Sequence, residues 1–206
     1  MPRYGLFGGT FDPPHFGHLI LAAEAHHQLQ LDQVWWLLTP QPPHKRGQRI
    51  TPLGMRAQLV SAAIGQDPAF ALSLIEAERP GPHYAIDTVR ILKRRYPNDT
   101  LVYLMGGDSL ATLPSWHQAQ AFVQEVDEIG VMRRPYDRID WVALEQVLPG
   151  LRAKIRLIEA PLLEIAAHEL RARIAQGRPY RYYMPKAVVA LIESHGLYRE
   201  PDETAP

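Results

Sequence analysis

Residues 8–18 read GGTFDPPHFGH and bring two imidazoles, His15 and His18, three positions apart to the end of a glycine turn. Such a pair suits three kinds of chemistry. The imidazoles can ligate a metal with Asp12 as a further donor, cap and fill a turn, or donate hydrogen bonds to phosphate oxygens as charge builds up around an attacked phosphorus. The chain has no cysteine, which removes thiolate nucleophiles, thiolate zinc sites and disulfides together. Gly8 and Gly9 allow a ligand close to the backbone, and a helix beginning near Phe16 offers free N–H groups and a positive dipole end to the same ligand. That context favours a phosphate clamp, and no metal ligands are assigned. It is not a known dinucleotide or triphosphate loop: Gly5 and Gly8 are misspaced for GxGxxG, and no Gly-Lys pair occurs for a P-loop.

The elements that would position this turn are written in the hydrophobic rhythm. Apolar runs at 3–7, 33–39, 70–76, 100–106, 128–134 and 154–160 alternate with amphipathic stretches at 19–31, 52–65, 83–96, 115–126 and 139–148. This predicts an α/β, doubly wound, Rossmann-like parallel sheet with helices on both faces. Two further helices, ending at Gly177 and Gly196 where left-handed C-caps are natural, predict a short C-terminal helical segment. A single domain over 1–198 is expected, with residues 199–206 a polar, disordered tail. The GGTFDPPHFGH segment falls between the first strand and the first helix, at the carboxyl edge where open α/β sheets bind ligands.

The composition narrows the partners. Of 206 residues 46% are hydrophobic, and 22 basic residues balance 22 acidic ones, so no field draws the whole chain to nucleic acid or to an anionic membrane. No apolar run approaches the ~18 residues of a membrane span, and a signal-peptide core is missing from the first twenty, so a cytoplasmic location is expected. Anion binding must then be local. Residues 33–66 contain no acid but carry Lys45, Arg46, Arg49 and Arg56, with PQPPHKRG directly after the second strand.

GGTFDPPHFGH resembles the HxGH signature of the nucleotidylyltransferase superfamily, and its GGTFDPxHxGH form resembles the bacterial nicotinate-nucleotide adenylyltransferases. The resemblance implies that His15 and His18, with Gly8, Gly9 and Thr10, hold the phosphates of ATP and carry the α-phosphoryl group through its transition state without a covalent intermediate. PPHK resembles the family's PxHK, which makes Lys45 a phosphate contact. GGDSLATLPSWH resembles GxDxLxxLxxW, which places Gly106 and Asp108 on the adenosine side and Trp116, with His117, at the pyridine nucleotide. RPGPHYAIDT is similar to RPxxSYTxDT, and implies mononucleotide contacts from Tyr84, Asp87 and Thr88, with His83 and Ala85 replacing hydroxyl residues. Arg134 and Pro135 match an RPG segment near adenine.

The resemblance implies transfer of AMP from ATP to nicotinate mononucleotide, giving deamido-NAD and pyrophosphate, with Mg2+ bound to ATP; a homo-oligomer is left open. Two alternatives stand beside it: a catalytically impaired nucleotide-binding relative, and an enzyme preferring nicotinamide mononucleotide. The first arises because the family's ISSTxIR is here Ile165-Ala166-Ala167-His168-Glu169-Leu170-Arg171, with every hydroxyl lost. Arg171 is retained as a catalytic cation, and His168 offers an imidazole where the family has a threonine. GDSL at 107–110 also suggests a serine esterase, but that family resembles a pattern with GDSL near the start and DxxH near the end, and here GDSL is central.

Overall fold

The six apolar runs form β1 (Arg3–Gly9), β2 (Gln33–Leu38), β3 (Phe70–Ser73), β4 (Thr100–Gly106), β5 (Glu128–Met132) and β6 (Ile155–Ile158) in a computed structural model that describes residues 1–42, 50–132, 139–161 and 163–199. All neighbouring strands are parallel, in the order β3-β2-β1-β4-β5-β6. Strands β1 and β4 lie side by side at the centre, with Phe7 level with Trp36 of β2 and Leu104 of β4. From β1 the chain winds toward one edge, and from β4 toward the other. That switch opens a crevice beyond their carboxyl ends, at Gly9 and Gly106.

The helices are α1 (Phe16–Gln28), α2 (Leu53–Ile64), α3 (Ala85–Arg95), α4 (Gly107–Thr112), α5 (Ala119–Glu125), α6 (Trp141–Val147), α7 (Leu151–Lys154), α8 (Ala167–Ala175) and α9 (Lys186–Ser194). Successive strand residues face opposite sides, so each strand feeds two cores. Leu6, Tyr103, Met105 and Val131 pack with Val89 and Leu92 of α3 and Phe122 of α5, whereas Phe7, Trp36 and Leu104 pack with Leu21, Ala22 and Ala25 of α1. A third cluster joins Leu59 of α2 to Leu170 and Ile174 of α8 and Val188 and Ile192 of α9. The doubly wound sheet and its C-terminal helical segment are those the sequence rhythm predicts.

Two local expectations change. The helix read over 115–126 starts only at Ala119, after a 3-10 turn at Leu113–Ser115 that contains Pro114 and after Gln118 in the left-handed region at φ 51°. Helices α4 and α7, of six and four residues, are too short to show a period. Gly177 and Gly196 do take φ values of 65° and 58° beyond their helices. No described helix is long and apolar enough to cross a membrane.

Packing over β5 leaves little room at Gly130, between β4, β6 and the end of α1. A Cβ there would lie 2.8 Å from Leu104 Cδ2, 2.9 Å from Leu29 Cδ1 and 3.0 Å from Ile158 Cδ1. Gly130→Ala is therefore expected to lower the unfolding free energy by about 1–3 kcal/mol, read from a denaturant midpoint. An unchanged midpoint would show that these methyl groups yield freely.

Candidate active site

Strand β1 ends in two glycines whose missing side chains are replaced by other parts of the protein. A Cβ on Gly8 would stand 2.7 Å from Tyr103 Oη on one face, and a Cβ on Gly9 would stand 2.7 Å from Phe11 Cζ on the other. Backbone approach to a ligand is thus only part of their role. Phe11 takes φ 47°, a left-handed conformation that costs about 1–2 kcal/mol. Its ring is held edge-on by Phe7 and His18, at centroid distances of 5.2 and 5.1 Å.

His15 is the N-cap of α1, with extended backbone at φ −146°, and its N–H donates to His18 Nδ1 at 3.3 Å. With Nδ1 accepting, the ring proton of neutral His18 lies on Nε2. The two rings stack at 3.7 Å between centroids and 28° between planes. Gly17 is what admits them, because a Cβ there would lie 3.1 Å from His15 Nδ1. His15 is 5% exposed, and burial pushes its pKa from 6.5 down to about 4. No acidic residue occupies the first turn of α1, so the positive end of the helix is left for an anion.

Two arginines tie this turn down. Arg56, 1% exposed, donates to the carbonyls of Thr10 (2.9 Å), Thr39 (2.8 Å), Pro40 (2.7 Å) and Thr51 (2.8 Å). Sequence alone groups it with the bases that would meet an anion, but four of its five N–H groups join the loops that follow β1 and β2. Arg171 Nη1 donates to the Asp12 carbonyl at 2.7 Å, which crosses from α8 to the same turn. Lys45, Arg46, Arg49 and Arg134 lie outside the described residues.

The turn forms one wall of a cleft of about 1320 Å³. Gly8, Gly9, Thr10, His15 and His18 meet Gly106 and Asp108, at the start of α4, across it. Tyr84, Trp116 and His117 form the aromatic end, with Tyr84 and His117 stacked at 4.0 Å and Trp116 edge-on to Tyr103 at 6.0 Å. Ile165, Ala166 and Ala167, at the uncapped start of α8, close the third side.

Four expected site residues do not line the cleft. Thr88 Oγ1 donates to Glu76 Oε1 at 2.8 Å and accepts from Arg79 Nη2 at 3.0 Å, while Asp87 lies 3.9 Å from Arg79. Arg79 in turn donates to the carbonyls of Pro82 and Tyr84. Asp87 and Thr88 therefore brace the loop that presents Tyr84. His168 points outward, exposed on α8, and Arg171 reaches the turn from behind. Conversely, Glu76, His83 and Tyr103 line the cleft. Glu76 is 4% exposed, and burial raises its carboxyl pKa against the hydroxyls of Thr88 and Thr39. Burial also raises the Tyr103 phenol and lowers the His83 imidazole. The signal for Glu76 and Tyr103 was a polar group at the carboxyl end of, or inside, an otherwise apolar run. Ser109, on α4, makes no hydrogen bond to an imidazole among the described residues, so the GDSL segment carries no nucleophile pair.

Residues 6–173 match the cytidylyltransferase-like family. The chain is 42% identical over 206 residues to a probable nicotinate-nucleotide adenylyltransferase of Thermomicrobium roseum, covering 100% of this chain and 96% of that protein. It is 37% identical to the nicotinate-nucleotide adenylyltransferase of Bacillus subtilis, over 96% and 99% of the two chains. Among solved structures, the nicotinic acid mononucleotide adenylyltransferase of Plasmodium falciparum complexed with NaAD shares the fold at a TM-score of 0.81 and 19% identity, over 96% and 98% of the chains.

Two outcomes follow from the turn. Gly8→Ala should clash with Tyr103 Oη and lower stability by about 1–3 kcal/mol, and adding Tyr103→Phe should restore most of it in thermal melts; no restoration would place the clash elsewhere. For His15, the unfolded chain binds a proton below 6.5 but the native ring does not until about 4. Its contribution is therefore complete above pH 6.5 and lost as pH falls toward 4, by roughly 2–3 kcal/mol. The raised Glu76 carboxyl acts with the opposite sign, so the effect is read as the difference in unfolding free energy between the parent and His15→Gln across that window. A constant difference would contradict it.

Proposed function

The chain belongs to the cytidylyltransferase-like family, its relatives at 42% and 37% identity carry the names probable nicotinate-nucleotide adenylyltransferase and nicotinate-nucleotide adenylyltransferase, and on that premise we propose that it transfers AMP from ATP to nicotinate mononucleotide, releasing deamido-NAD and pyrophosphate. The observation that carries this reading is the stacked pair His15 and His18 at the uncompensated N-terminus of α1, on a cleft that the starts of α4 and α8 also reach. Neutral donors and helix ends suit a polyanion.

The reaction is an in-line displacement. An oxygen of the mononucleotide phosphate forms a bond to the α-phosphorus of ATP, the bridging α–β bond breaks, and its electrons leave on pyrophosphate. Catalysis then consists of positioning and charge stabilisation. His18 Nε2–H, His15 and the first N–H groups of α1 serve the phosphates, beside Gly8, Gly9 and Thr10. The N–H groups of Ala166 and Ala167 stand in for the family's hydroxyls, since exposed His168 does not face the cleft. Arg171, behind the turn, secures it through Nη1 and adds positive field to the phosphate site without lining the cleft. Lys45 guides the attacking phosphate, Arg134 sits by adenine, Gly106 and Asp108 hold the adenosine side, and Tyr84, Trp116 and His117 hold the pyridine nucleotide, with Asp87 and Thr88 acting through Arg79.

Magnesium fits this donor set as a companion of ATP. Glu76, Asp108 and Glu164 line the cleft from different elements, and no group of three or more acidic or histidine side chains suited to a metal occurs among the described residues. Phosphate oxygens would supply most ligands, with Asp108 as the nearest candidate carboxylate on the adenosine side, and the ion would neutralise charge on the triphosphate. One observation favours a binding relative without turnover, namely the loss of hydroxyls at Ala166 and Ala167, which forgoes about 0.5–2 kcal/mol of capping.

Incubating the protein with ATP, magnesium and nicotinate mononucleotide should yield deamido-NAD and pyrophosphate in equal amounts, faster than with nicotinamide mononucleotide. ATP binding without product would support the binding relative, and faster turnover of the amide would reverse the assigned substrate. His18→Ala should lose turnover by a factor of ~10² or more with an unchanged circular dichroism spectrum; retained turnover would remove His18 from the mechanism.

A further inference from the structure

The C-terminal residues beyond α9 return to the turn that carries the two histidines. Gly196, at φ 58°, reverses the chain, Leu197 N–H donates to the Ile192 carbonyl at 2.9 Å, and Tyr198 follows at φ 64°. An aromatic residue rarely rests in that left-handed region, and one that does is held there by its surroundings. What holds Tyr198 is Asp12: the Tyr198 hydroxyl donates to Asp12 Oδ1 at 2.6 Å, while Thr51 N–H donates to Oδ2 at 3.1 Å. Asp12 is 3% exposed and lines no part of the cleft. Its carboxylate faces Tyr198, Thr51 and the Arg56 guanidinium, and Arg171 holds its carbonyl.

Only Pro13 and Pro14 separate Asp12 from His15, and both are buried. Proline fixes φ, so this short link has few torsions with which to absorb a shift. The position of the Asp12 carboxylate is thereby passed on to the N-cap of α1 and to the imidazole stack.

We propose that Tyr198 is a positioning residue of the nucleotide site: its hydroxyl, through Asp12, fixes the turn that places His15 and His18 against the phosphates of ATP. The C-terminal segment is then part of the site's geometry without touching substrate. The proposal rests on the adenylyltransferase reading for its kinetic readout but not for its binding readout. Burial and the Asp12 carboxylate raise the phenol pKa, which keeps the donor protonated.

The test is Tyr198→Phe in the full chain, which removes one oxygen and keeps the ring. In a folded variant at 25 °C, ATP affinity by calorimetry and kcat should each fall on the order of tenfold, short of the ~10² that a 1 Å misplacement can cost. KM for the mononucleotide should stay within about twofold. A variant that melts lower yet keeps full ATP affinity and kcat would overturn the proposal. Should Tyr198→Phe fail to fold, Asp12→Asn, which keeps an acceptor for the tyrosine but turns an N–H toward that of Thr51, should show the same losses, and full ATP affinity there would overturn the proposal equally. A parent protein that forms no dinucleotide defeats the proposed reaction, whereas the calorimetric arm still decides the role of Tyr198.

Discussion

Two imidazoles whose ring centroids lie 3.7 Å apart, at the positive end of a helix, cannot both carry charge without strong repulsion. The rest of the structure is arranged around this constraint. Burial keeps His15 neutral, the His15 N–H on His18 Nδ1 assigns the donor face of His18, and the absence of an acid from the first turn of α1 leaves the helix end uncompensated. Such a site is quiet until an anion arrives. A triphosphate supplies the charge that lets the pair donate, and in the proposed reaction that charge is greatest as the α–β bond breaks.

The turn that holds the pair is built largely from its own side chains. Phe11 occupies the space that a side chain at Gly9 would fill, Tyr103 occupies the space over Gly8, and the His15 ring occupies the space over Gly17. Each glycine of GGTFDPPHFGH is thus explained by a ring that needs the room, and the motif is a packing solution before it is a binding one. Outside it, Arg56 and Arg171 convert carbonyl oxygens of the loops that follow β1 and β2 into one frame. Cations behind a phosphate site, buried Arg56 and half-buried Arg171, each bonded to backbone oxygens, hold geometry while contributing positive field.

The fold was legible because parallel strands buried on both faces read as unbroken apolar runs, and all six were visible as such. The phosphate turn was legible because its residue types are long in sequence and local in space. What could not be seen was the direction taken by polar side chains whose partners are distant in sequence. Arg56 resembles Lys45 in sequence, yet it is buried under four carbonyls. Asp87 and Thr88 lie close to Tyr84 in sequence but turn toward Arg79 and Glu76, whereas Ala85 and Ile86 at the start of α3 line the cleft. His168 follows the helical period of α8 outward, where the backbone alone remains at the cleft.

The proposed phosphate clamp depends on His15 being neutral when the cleft is empty and responsive when a polyphosphate fills it. Proton–nitrogen correlation spectra of the imidazoles, recorded through a pH titration with and without ATP and magnesium, measure this directly. The predicted result is a His15 ring that titrates near 4 in the free protein and at a higher pH once nucleotide is bound. A ring that titrates at an ordinary 6.5 in the free protein and is unmoved by ATP would contradict the account.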